Sequence, residues 1–153
     1  MVNPEYAAEK VTELFWGRLQ DRKGVQVLSP GDAIRVSSAD GELTKAGPEK
    51  AATIIARRLK ADAALIGVVL VYQERAGSRL GANPSAAVGF ETKVVAADGQ
   101  VLWAGGYYEQ QRPMGEDLIG FFRGWGFLTA AELAEYGVDK VLKEFPFGGG
   151  KER

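Results

Sequence analysis

Apolar residues recur along this chain with two different periods. Between Asn3 and Gln20 (NPEYAAEKVTELFWGRLQ), Ala8, Val11, Phe15 and Leu19 return every three or four residues, the spacing of one helix face. Asn3 offers a capping oxygen, Pro4 suits the first helical position, where a missing N–H costs nothing, and Gly24 ends the segment. A second helical pattern covers Pro48 to Lys60, with Ala51, Ala52, Ile55 and Leu59 turned inward and Lys50, Arg57 and Arg58 outward. The strongest helix signal is TAAELAEYGVDKVLKEFP. Thr129 and Glu132 form a capping box, Leu133, Gly137, Val141 and Phe145 share a face, and Pro146 follows the end.

Elsewhere the pattern is that of strands. VQVLSP reads as a short strand stopped by Pro30, and the polar stretch after it carries turn signals at Gly31, Asp40–Gly41 and Gly47–Pro48. ADAALIGVVLVYQER is apolar at nearly every position and rich in valine, which predicts a strand covered on both faces or at the centre of a sheet. PSAAVGFETKVVAADGQVLWAGGYYEQQRP predicts two strands joined at Asp98–Gly99, a dipeptide that tolerates the backbone of a two-residue hairpin loop. That loop sets Ala97 opposite Gln100, Val94 opposite Trp103 and Phe90 opposite Tyr107, so aromatic rings gather on one face. Glu91, Lys93, Val95, Leu102 and Tyr108 fall on the other. Gly105 and Gly106 mark a bulge or a close backbone approach.

Helix, strand, helix, three-strand meander and terminal helix together predict an α/β (α+β) sandwich in which helices pack on a mostly antiparallel sheet. At 153 residues there is room for one sizeable core. The expectation is a single domain over residues 1–147, with residues 148–153 as a flexible tail.

Composition then removes whole classes of chemistry. The chain has neither histidine nor cysteine, which excludes imidazole bases, thiol nucleophiles, disulfides and metal sites built on nitrogen or sulfur. A net charge of −1, with cations scattered among acids, gives no field to attract nucleic acid. No segment reaches the ~18 to 20 apolar residues needed to span a bilayer. Neither Gly-x-Gly-x-x-Gly after a strand nor Gly-Lys-Ser/Thr occurs, so a nucleotide loop is not expected. No metal or cofactor is implied.

The densest aromatic stretch is LIGFFRGWGFLTA, Leu118 to Ala130, with three glycines and Arg123 as its only charge. Three readings stand: closure of the core by Phe122, Phe127 and Leu128, a docking surface centred on Trp125, or an aromatic contact with a lipid interface. The candidate partner-binding residues are Phe121, Arg123, Trp125 and Phe127, together with Trp16 on the first helix, where neighbouring Phe15 takes the buried position. Carboxylate chemistry would have to use Glu109 with Glu116 or Asp117, although the last two read more simply as charges at a helix start. AGSRLGANP, with Arg75 and Arg79, reads as a solvated hairpin tip that could alternatively recognise an anion. Trp103 and Tyr107 read as an aromatic ladder.

ADAALIGVVLVYQER, PSAAVGFETKVVAADGQVLWAGGYYEQQRP and LTAAELAEYGVDKVL, taken together, resemble a group of bacterial envelope lipoproteins related to the fold of the TolB amino-terminal domain, CsgG and LpoB. DGQVLW, followed by a glycine-containing strand and QRP, carries the resemblance most closely. It implies a periplasmic, outer-membrane-anchored accessory or adaptor protein without enzymatic activity, acting in envelope assembly through protein–protein contacts. The membrane would be reached only through a lipid anchor that this chain does not itself carry. Such proteins place a valine-rich strand before the first helix, where this chain has MVNPEY. Either the start is truncated or misassigned, or this member lacks the strand; if it lacks it, the sheet carries an unpaired edge or gap that a strand from another envelope protein or from a second copy could fill. Two alternatives stay open: a small-molecule binding module with an aromatic-lined pocket, and a hydrolase built on the carboxylates above.

Overall fold

The computed structural model describes residues 3–39, 41–78, 80–82, 84–111 and 128–149. Among these, four helices accompany a three-stranded antiparallel sheet in an α+β architecture, with helices packed on the sheet and a capped helix near the carboxyl end. In chain order the elements are α1 (Pro4–Gln20), α2 (Pro30–Ala39), a 3-10 turn (Gly41–Thr44), α3 (Pro48–Arg58), β1 (Ala63–Gln73), β2 (Gly77–Ser78), β3 (Gly81–Ala82), β4 (Ala87–Ala96), β5 (Val101–Gln110) and α4 (Ala130–Leu142). The sheet order is β1-β4-β5, the expected meander. Between β1 and β4 the chain makes a separate antiparallel ribbon, with Gly77 opposite Ala82 and Ser78 opposite Gly81. Two compact units result, one of Met1–Phe15, Val69–Glu91 and Gly106–Glu144, the other of Trp16–Val68, Thr92–Gly105 and Phe145–Arg153.

In the first unit, α1 starts where Asn3 Oδ1 accepts the Glu5 N–H at 2.7 Å. Its buried stripe is Ala7, Val11 and Phe15, continued in the second unit by Leu19. Ala8 is exposed. Strict four-residue spacing selects the other of the two adjacent alanines. Phe15 meets Phe90 edge-on at 5.8 Å, and Phe90 lies against Tyr107 at 5.7 Å, the cross-strand contact the hairpin pattern predicts. Phe90, Leu133, Val88 and Val138 are almost wholly buried, each contributing about 1.5–3 kcal/mol by leaving water. α4 has its capping box: Thr129 Oγ1 accepts the Glu132 N–H at 3.1 Å, and Glu132 Oε1 accepts the Thr129 N–H at 2.9 Å. Gly137 lets α4 approach the Tyr107 ring, because a Cβ built there collides with three of its ring carbons.

The second unit buries Leu43, Ala52, Ala56, Val94, Val95 and Phe145. α3 turns Ala52, Thr53 and Ala56 inward, and leaves Ala51, Ile55 and Leu59 half-buried, so its inner face is rotated from the expected one toward the smallest side chains. Trp103 meets Phe145 edge-on at 5.1 Å, and Phe147 meets Phe145 at 5.3 Å. Arg22 ties this segment down. Its Nε donates to the Phe147 carbonyl at 3.1 Å, its Nη2 to the carbonyls of Phe145 at 3.1 Å and Gly148 at 3.3 Å, and its guanidinium sits 5.2 Å from the Phe145 ring centre. Lys23 and Gly149 form a two-way backbone bridge, so the first two residues of the expected tail are held.

Three expectations are corrected. VQVLSP is not a strand. Residues 25–29 are irregular, and Pro30 is instead the first residue of α2, whose start is held by Ser29 Oγ accepting the Asp32 N–H at 3.3 Å. The turn at Asp98–Gly99 is one residue longer than expected. Gly99 N–H donates to Ala96 O and Ala96 N–H to Gln100 O, with Gly99 at φ 97°, so Ala97 sits in the loop and donates to Asp62 O instead of facing Gln100. Finally, among the described residues β1 lies at the edge of the sheet rather than at its centre, a place taken by β4.

Candidate functional site

The displaced position of β1 creates the most distinctive surface among the described residues. Nothing from Ala63 to Gln73 (AALIGVVLVYQ) is charged, and β-branched and leucine side chains favour the extended backbone. Alternation puts Val68 and Leu70 on one face of the strand, where they are 53% and 56% exposed. Among the described residues, no strand pairs with the outer side of β1. An edge of this kind presents unpaired N–H and C=O groups, and soluble proteins ordinarily blunt it with lysine, proline or a bulge. β1 has no lysine and no proline. The charges that would protect it, Glu91 and Lys93, stand on central β4 instead.

Both ends of the strand are anchored. At its start, within the second unit, Ala97 N–H donates to Asp62 O at 2.9 Å. At its end, within the first unit, Tyr6 packs edge-on against Tyr72 at 6.3 Å. Burial pushes the Tyr72 phenol up to about 12, with Tyr6 and Glu74 adding to the effect. Gln73 Nε2 donates to Ser85 O at 2.9 Å, and Glu74 Oε1 accepts the N–H of Ala130, the first residue of α4, at 2.8 Å.

The other edge, β5, differs. It runs unbroken through Gly105 and Gly106, in place of the expected bulge or close backbone approach, and a Cβ on Gly106 would meet Phe90 O at 3.4 Å, an ordinary van der Waals distance. Tyr108 is 62% exposed, yet its ring lies over Gly89, where a Cβ would come within 2.7 Å of it. Glu109 Oε1 accepts the Tyr107 hydroxyl at 2.9 Å. The one carboxylate of the catalytic alternative that is described therefore orients a core tyrosine. Its partners Glu116 and Asp117 lie outside the described residues, and among those described no cluster of three or more acidic groups is arranged to hold a metal. On the aromatic face proposed for a pocket, Phe15 and Tyr107 pack against Phe90, and Tyr136 packs against Tyr107 at 6.3 Å, all in the first unit; Trp125, the other part of that proposal, lies outside the described residues. Trp103 contacts Phe145 in the second unit.

Of the residues singled out by composition, Phe121, Arg123, Trp125 and Phe127 lie outside the described residues, as does Arg79. Trp16 is half-buried beside buried Phe15, the division expected of adjacent helix positions. Buried Gln111 joins the two flanks of the aromatic stretch: its Oε1 accepts the Leu128 N–H at 2.6 Å, its N–H donates to Ala86 O at 3.3 Å, and its carbonyl accepts the Ser85 hydroxyl. On α3, exposed Glu49 accepts a hydrogen bond from Lys93 Nζ at 2.6 Å, which lowers its pKa from the usual carboxylate value. Val68 and Leu70 carry no signal of their own in the sequence, because an uncharged apolar run reads as covered on both faces. No protein-family model, curated relative or solved structure matches the chain.

Proposed function

We propose that this protein is a non-catalytic adaptor or accessory protein that acts through protein–protein contacts, and that the outer edge of β1 is its docking surface. The observation that carries this reading is the exposure of Val68 and Leu70 on an eleven-residue edge strand without a single charge. Strand addition draws affinity from main-chain hydrogen bonds and specificity from alternate side chains, and β1 offers both. The setting proposed for it is the cell envelope, on the resemblance of its strand and hairpin sequences to envelope lipoproteins.

Two measurements test the two halves of the proposal. Val68→Lys places a charge in the middle of the edge while its aliphatic stem still covers the strand. The variant should keep its circular dichroism and lose its association with its partner. An unchanged association overturns the docking surface. Fractionation of the native cell should find the protein in periplasmic or outer-membrane fractions, and recovery from the cytosol alone overturns the envelope setting.

A further inference from the structure

We infer that the partner of the β1 edge is a second copy of this chain, joined by antiparallel β1–β1 pairing about a two-fold axis through Val68. The inference rests on the docking reading above and adds the identity of the occupant. A two-fold interface sets each residue against a residue of the same surface, so any charge near the axis meets its own like. β1 escapes that penalty over its whole length, since Ala63 to Gln73 contains no charged side chain.

The strand is also symmetric in the sense pairing requires. With Val68 on the axis, Leu70 faces Ile66 of the other copy, Val69 faces Gly67, Val71 faces Leu65 and Tyr72 faces Ala64. Large residues meet small or medium ones at two of these pairs, and no pair sets two bulky rings together. Val68 and Leu70, both more than half exposed in one copy, come together with their counterparts around the axis. Full overlap uses all eleven residues, longer than the usual strand of about five or six. The opposite edge lacks these properties. β5 carries a charged side chain, Glu109, within its ten residues, where β1 carries none.

The chain has no cysteine, so a single introduced one reports on this geometry cleanly. Val68→Cys should give a covalent dimer with a short bis-maleimide crosslinker, whereas Ile34→Cys, at a position 62% exposed on α2, should not. Light scattering on the unmodified chain should show a concentration-dependent dimer that varies little with salt, because no charges meet at the axis. Val68→Lys should weaken it about a hundredfold with the fold retained. Should the lysine variant misfold, the crosslinking comparison still decides. A chain that stays monomeric overturns the inference, and so does crosslinking of the Ile34→Cys variant to the same extent as the Val68→Cys variant. If that monomer nevertheless binds a purified envelope protein and Val68→Lys abolishes the binding, the second-copy inference falls while the docking reading stands. If Val68→Lys changes no association at all, both fall.

Discussion

Gly137 offers a test in which two physical effects oppose each other in sign. In a helix interior, alanine is ordinarily about 0.5–1 kcal/mol better than glycine, because glycine gives up more backbone freedom on folding. Gly137 sits inside α4, facing Tyr107 on β5. A Cβ there collides with Cγ, Cδ2 and Cε2 of the ring, and that ring cannot easily move. It lies against Phe90 at 5.7 Å and Tyr136 at 6.3 Å, and its hydroxyl is bonded to Glu109. Forcing a methyl group into such packing costs roughly 1–3 kcal/mol, which outweighs the propensity gain. Gly137→Ala should therefore destabilise by about 1–2 kcal/mol, a fall in Tm of roughly 2–8 °C for a chain of this size. Thermal unfolding followed by circular dichroism reads it directly. With Tyr107→Ala as background the collision is gone, and the same substitution should raise Tm by about 1–4 °C. If Gly137→Ala raises Tm in the unmodified protein, the ring does not pack over the helix and the core of the first unit is not built as described.

Three further outcomes follow from single contacts. Arg22→Ala removes three carbonyl hydrogen bonds and a cation–π contact, so it should cost about 1–3 kcal/mol and speed hydrogen exchange at the Gly149 amide; lysine, lacking the planar fork, should not restore protection. Thr129→Ala breaks the capping box and should lower stability by about 1 kcal/mol in denaturant titration, with no change in the slope. Tyr72 carries a pKa raised above its unfolded value of 10.0 to about 12, so its contribution is fully present below pH 10 and is lost as pH climbs through the folded value. Stability should fall by up to about 2–3 kcal/mol across that window, and Tyr72→Phe should flatten the decline.

The helices and the hairpin are legible because local signals and tertiary demands agree there. The capping box of α4 and the Asn3–Pro4 start of α1 appear where spacing puts them, and the Phe90 and Tyr107 rings meet although the loop is one residue longer than the expected pairing assumes. α2 is hidden for a physical reason: none of its residues is buried, so it has no apolar period, and only Ser29–Pro30–Gly31–Asp32 hints at a helix start. The hairpin loop differs by one residue from its expected length, since Gly99 serves equally in a two-residue loop or as the bulged glycine of a longer one. For the candidate site, the sequence points to an open edge but not to the strand that forms it. A run such as Leu65 to Tyr72 reads the same whether its apolar side chains are covered by the protein itself or by something else. Periodicity reports that a surface avoids water, not who covers it.

Experiment can break that ambiguity. An uncharged strand of this length on a sheet edge is also a template for uncontrolled pairing, so association and aggregation must compete for the same backbone groups. If β1 is a docking edge, one lysine at Val68 should act on both at once, abolishing the ordered complex and raising the concentration at which the chain precipitates. Placing the lysine at Leu102 on β5, 42% exposed, should change neither by a comparable amount, because that strand already carries the charge of Glu109. Solubility limits and light scattering on the two variants separate the cases. Equal behaviour of Val68→Lys and Leu102→Lys would mean that exposed apolar area as such, wherever it lies on the sheet, governs association, and β1 would lose its special standing.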